Sequence, residues 1–207
     1  MPYGLTLASA PASEPLTLAE AKKQVELATE YTAHDEHLLR LVTAARQYAE
    51  EYTGRAFVTQ TWDFTLDKWP MAKGDHTIWL PKAPLQSVTH VKYYDGDGVQ
   101  QTWNSSNYVV RSNRQPGGVS LAYDAKWPTI RYQPDSIAVR FVAGYGARAS
   151  IPEALKAAML LLVAHWFEHR EEVNIGNITN VIPMAAQSLL DQWRVGDEFL
   201  AYSDEVL

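Results

Sequence analysis

At 207 residues, 46% hydrophobic and 20% charged, the chain has the make-up of a soluble globular protein with one domain or two small ones. It contains no cysteine, which excludes a disulfide framework, thiolate metal sites and a cysteine nucleophile and fits a reducing cytoplasm. A formal net charge of -6 excludes recruitment of nucleic acid by bulk electrostatics.

The N-terminus, MPYGLTLASAPASEP, lacks a basic region and a sustained apolar run, so it is a poor signal peptide. Residues 1–15, rich in Ala, Pro and Ser, read as a loose arm. Thr17 and Glu20 then form a capping box that opens a short helix running to about Ala28. A second box, Thr32 with Asp35, opens a longer helix. In it Leu38, Leu41, Val42, Ala45, Tyr48, Ala49 and Tyr52 recur at spacings of three and four, and Gly54 stands where a terminating glycine belongs.

The period then changes to two. In VTQTWDFTL, Val58, Trp62, Phe64 and Leu66 share one face and Thr59, Thr61, Asp63, Thr65 and Asp67 the other. Further short runs follow: HTIWLP, SVTHVKYY, VQQTW, NYVVR and SIAVRFV. Turn clusters at Asp95–Gly98 (DGDG) and Gln115–Gly118 (QPGG) separate them. Residues 57–145 therefore read as a small antiparallel β domain.

Helix returns after Ser150, which with Glu153 makes a third capping box around Pro152. A loop from Asn174 to Pro183 leads to a last helix from Met184 to about Arg194, and residues 195–207 form an acidic tail. The longest apolar run, Ala157–Phe167 interrupted by His165, is too short to span a bilayer. Helices at both ends of the chain must bury their apolar faces. The simplest solution is α+β: a small helical bundle from residues 16–56 and 146–194, with the β domain inserted between its halves.

Four stretches invite a chemical reading. His165 and His169 are spaced to share one helix face and hold zinc, as in a hydrolase. However, Trp166, rather than the general-base Glu of the protease order, follows the first histidine, and no third ligand is marked. GYGARA (Gly144–Ala149) imitates a dinucleotide fingerprint, but the capping box starts the helix after the glycines, not inside them. DGDG suggests calcium but lacks the ligand spread and closing Glu of a twelve-residue loop. Five of the seven tryptophans (Trp62, Trp69, Trp79, Trp103 and Trp127) fall in the β region. An exposed row of them would make a carbohydrate- or surface-binding module; a buried set would simply fill a small core. No catalytic triad or P-loop stands out, and neither a cofactor nor a resident metal is expected.

Taken as an ordered set, PLTLAEAKKQVEL, HLLRLVTAARQYAEEYTGRAFVTQTWDFTLDKWP, LPKAPLQSVTHVKYYDGDG, VRFVAGYG, IPEALKAAMLLLVAHWFEHRE and LLDQWR resemble the head–tail connector (head-completion or adaptor) proteins of tailed bacteriophages. The resemblance runs from about Pro15 to Arg194. His169 is a departure, standing where the family pattern has Asn, which weakens any metal role for the histidine pair. The resemblance implies a structural virion protein without an active site, assembled in the host bacterial cytoplasm and placed in the virion neck. Its implied partners are the portal protein, a tail or neck (stopper or tail-completion) protein, and copies of itself in a ring, twelvefold to match the portal. DNA would pass through that ring without specific binding, and no membrane is involved. In the acidic tail Phe199, Leu200 and Tyr202 have no core to join. Together with Trp193 they are the candidate portal-docking residues.

Overall fold

The computed structural model describes residues 3–70, 76–169 and 183–196. The chain divides into two compact units. One is helical and contains residues 12–58 and 146–194; the other contains the N-terminal residues up to 11 and the segment 59–145.

In the helical unit, α1 (Leu18–Gln24) opens on the expected capping box. The Glu20 N–H donates to Thr17 Oγ1 at 3.1 Å, and the Thr17 N–H donates to Glu20 Oε2 at 2.6 Å. Helix α2 (Asp35–Thr53) ends at Gly54, whose φ of 68° is the left-handed conformation that glycine adopts without a Cβ clash. Helix α3 spans Glu153–Glu168 and α4 spans Met184–Asp191. Leu38, Val42, Ala45 and Ala49 of α2 are buried, as are Leu155, Ala158, Met159, Leu162 and Val163 of α3. α2 packs on α3, α3 on α4, and α1 on both α2 and α3.

A charged cluster ties distant segments of this unit together. Arg46 Nε donates to Glu14 Oε2 at 2.7 Å, and Arg46 Nη1 donates to Glu50 Oε2 at 2.9 Å. The other Glu50 oxygen accepts the Phe57 N–H at 2.8 Å, and Arg148 Nε donates to the Glu14 carbonyl at 2.9 Å. Burial works against the Arg46 charge, yet the two carboxylates outweigh it and raise its pKa. Lys22, also buried, pairs with Asp35 at 2.7 Å and fixes α1 against the start of α2.

The β unit holds two antiparallel sheets. Their strands are β1 (Tyr3–Ser9), β2 (Gln60–Leu66), β3 (Thr77–Leu80), β4 (Leu85–Tyr94), β5 (Gln100–Trp103), β6 (Tyr108–Arg111), β7 (Gly117–Leu121) and β8 (Ile137–Ala143). The five-stranded sheet has the order β1-β2-β8-β4-β5, and the three-stranded sheet the order β3-β7-β6. One apolar row crosses the larger sheet from edge to edge through Leu5, Phe64, Val139, Val91 and Trp103. The adjacent row on the other face is polar: Thr6, Asp63, Arg140, His90. Arg140 holds Asp63 through two 2.7 Å bonds. The period-two pattern read from the sequence is therefore the two-faced character of this sheet.

Several local expectations are corrected. Residues 3–9 are not a loose arm but an edge strand paired with β2, because Leu5 and Leu7 alternate with Gly4 and Thr6 and so suit a pleat. The glycines of QPGG lie inside β7 and not in a turn. A Cβ on Gly118 would come within 2.7 Å of the Ile78 carbonyl oxygen, so the pair permits close strand approach. Neither of the later capping boxes forms: α2 starts from His34 and α3 from Pro152, each without a side-chain cap bond. Ser150 ends a short 3-10 turn instead. Helix α1 stops at Gln24 and α4 at Asp191, earlier than the apolar spacing suggests.

Candidate assembly surfaces

The stretches that invited chemical readings resolve into packing. His165 and His169 lie 4.6 Å apart between ring centroids, but His169 Nδ1 is spent 3.0 Å from the His165 carbonyl at the end of α3. Among the described residues no group of three or more His, Cys, Asp or Glu side chains is placed to hold a metal ion. Gly144 and Gly146, both at positive φ, turn the chain out of β8, and α3 begins only at Glu153. In DGDG, Asp95 accepts the backbone N–H groups of Asp97 and Val99 and the Gln101 amide. The Gln101 bond leads in lowering the Asp95 pKa. A carboxylate so occupied by its own hairpin serves the turn.

The tryptophans do not form an exposed row. Trp69 and Trp103 are buried, Trp127 stacks on Trp69 at 4.5 Å, and Trp62 and Trp79 are half-buried. Tyr93 and Tyr108 complete this aromatic cluster, which joins β4 and β5 to β6. Its effect is to hold the segment between β7 and β8 in place. Trp69 Nε1 donates to the Pro128 carbonyl at 2.8 Å, and the Asp135 N–H donates to Asp67 at 2.8 Å. That fixed segment presents two tyrosines to solvent: Tyr123 is 95% exposed and Tyr132 is 81% exposed. Lys68 lies over the Tyr132 ring at 5.1 Å. Sequence reasoning missed both tyrosines, since an isolated aromatic in a loop has no periodicity to mark its exposure. A rigid loop bearing exposed aromatics is suited to contact with another macromolecule.

Of the portal-docking candidates, Trp193 is half-buried in the helical unit just after α4. Its N–H donates to the Leu190 carbonyl at 2.9 Å, its own carbonyl accepts from Arg55, and the Arg55 guanidinium lies 5.7 Å from its ring centre. Phe199, Leu200 and Tyr202 lie outside the described residues. Tyr52 binds Asp191 through its hydroxyl, fastening α4, and with it the root of the tail, to α2.

The fold is thus a helical unit whose two chain segments are separated by an inserted antiparallel β unit. The head completion protein family matches residues 16–194, and the chain belongs to that family. It is a head–tail connector, a structural component of the virion.

Solved structures agree over nearly the whole chain. A chain from the neck of an empty gene transfer agent particle, computed with C6 symmetry, is 26% identical with a TM-score of 0.74, covering 93% of this chain and 96% of that one. A chain from the virion of the native gene transfer agent particle is 25% identical with a TM-score of 0.75, covering 93% and 95%. A third, from the native neck computed with C12 symmetry, shares the fold at 24% identity and a TM-score of 0.73, covering 93% and 96%. No curated protein matches the chain.

Proposed function

We propose that this connector assembles as a closed ring in the virion neck, beneath the portal, joining capsid to tail and letting DNA pass. The observation that carries this reading is the family match over residues 16–194, joined to a 26% identical chain in a neck of sixfold computed symmetry. The ring is twelvefold, as the family resemblance implies; twelve is a multiple of six, so the sixfold neck accommodates it. Each subunit contributes a formal charge of -6, so a channel lined by such copies repels the DNA backbone and favours passage over capture. The role needs no catalysis, cofactor or membrane contact.

One face of the ring meets the portal and the other a stopper or tail-completion protein, after assembly in the host bacterial cytoplasm. The segment from Trp193 to Leu207 is the portal-docking element. Trp193, clamped by Arg55, fixes where the segment leaves the helical unit, and Phe199, Leu200 and Tyr202 supply apolar anchors. Deleting residues 196–207 weakens portal capture in a pull-down while leaving the far-ultraviolet circular dichroism unchanged; undiminished capture would remove the docking role. Negative-stain microscopy of concentrated full-length protein tests the ring itself. Closed rings with a central hole are expected, and monomers at every concentration, with and without portal, would contradict it.

A further inference from the structure

Helix α3 is apolar almost all the way round, and its fully buried residues lie on one side. The buried stripe is Leu155, Ala158, Met159, Leu162 and Val163. Across the helix lie Ala157, Leu160, Leu161 and Ala164, spaced i, i+3, i+4, i+7. Ala157 is exposed, and the other three are half-buried. Exposed Glu153 and Glu168 stand at the two ends of this second stripe, roughly 22 Å apart along the axis. A helix side left partly open to solvent ordinarily carries polar residues, so the apolar character of this one suits a partner.

The unit also carries a receiving surface. On the outer side of α2, Glu36, Leu39, Arg40, Thr43, Ala44 and Gln47 line a shallow hollow. Leu39 is 47% exposed there, and Thr43 and Ala44 leave the floor low. Arg40 pairs with Glu36, and the two side chains are 75% and 83% exposed, so that pair is weak and readily exchanged. Each outer stripe lies across its own helix from the buried one, so the two cannot cover each other within a chain.

We infer that the outer stripe of α3 in one copy seats in the α2 hollow of the next, and that this contact closes the ring. This inference rests on the proposed ring. Three features select a second copy of the chain as the occupant. The faces are unlike, as a head-to-tail interface requires and a two-fold one does not. The leucines of α3 fit as ridges against the small residues of α2. Exposed Glu168, at one end of the α3 stripe, complements Arg40, while Glu153 at the other end pairs with Lys156 at 2.8 Å. Copies that each carry -6 repel one another, so an apolar seat at the joint is needed to hold them.

The absence of cysteine makes the test clean. The double variant Ala157→Cys/Ala44→Cys, treated with a short bis-maleimide, should give a ladder of linked subunits up to the closed ring. Each single variant alone should give none. Rings visible by microscopy without a ladder would overturn this face assignment and leave the ring standing. Neither rings nor a ladder would overturn both. Dimers from Ala157→Cys alone would show a like-to-like contact and also overturn the assignment. As a second measurement, Ala157→Glu, at an exposed site, should raise the concentration for half-assembly about tenfold or more with unchanged helicity, whereas Ala157→Ser stays near wild type. Unaltered assembly of Ala157→Glu would contradict the inference.

Discussion

The helical and β units use charge in opposite ways. In the helical unit the charges are inside: Arg46 and Glu50 are 9% and 6% exposed, and with Glu14 they bind segments far apart in sequence. In the β unit the interior row is wholly apolar, and the main ion pair, Asp63 with Arg140, sits half-exposed on the opposite face. A unit made of two chain segments separated by a long insertion needs specific cross-links to fix their register. A sheet obtains its register from strand pairing and a two-residue period, and can leave its charges outside.

Removing the apolar row should have the largest effect. Phe64→Ala deletes a ring 2% exposed on β2, within the apolar row of the five-stranded sheet, and should cost about 3–5 kcal/mol in urea unfolding. If the units unfold separately, only the β transition should move. Next, Glu50→Ala leaves Arg46 with Glu14 as its remaining carboxylate partner among these three residues and removes the acceptor of the Phe57 N–H; about 3 kcal/mol should be lost from the helical transition. A loss below about 1 kcal/mol would mean that the network adds little beyond a surface pair.

Acid should produce the smallest change. The Arg140 bonds hold the Asp63 pKa below its ordinary value, and the Thr17 bonds do the same for Glu20. Both carboxylates are charged and bonded above the ordinary carboxylate range. Their contribution is therefore full there and declines as pH falls through that range toward the lowered folded-state values. Urea midpoints taken between neutral pH and about pH 3 should fall, and Asp63→Asn should flatten the part belonging to the β unit. An unchanged slope in that variant would place the acid sensitivity elsewhere.

Much of this arrangement can be read from the sequence wherever a regular period is tied to a buried face. The α2 stripe, its Gly54 terminus, the Thr17–Glu20 box and the alternation of β2 all appear as expected. Where structure and sequence differ, the cause is shared: tertiary packing overrides local chemistry. Thr32 and Ser150 have the composition of caps, but the chain enters α2 and α3 from His34 and Pro152. Gly117 and Gly118 look like a turn and instead admit close neighbours within β7. β1 was hidden by the Ala-, Pro- and Ser-rich residues beside it, and as an edge strand it buries too little to show a strong pattern. The aromatic cluster was visible as a set of tryptophans, but its burial, and the exposure of Tyr123 and Tyr132 around it, depend on pairings between distant segments.

Native mass spectrometry of the intact chain at rising concentration, alone and with the proposed portal partner, addresses the central claim most directly. A single closed species of twelve copies, without a ladder of open intermediates at saturation, is the predicted result. A terminal species of one or two copies under both conditions would contradict the ring.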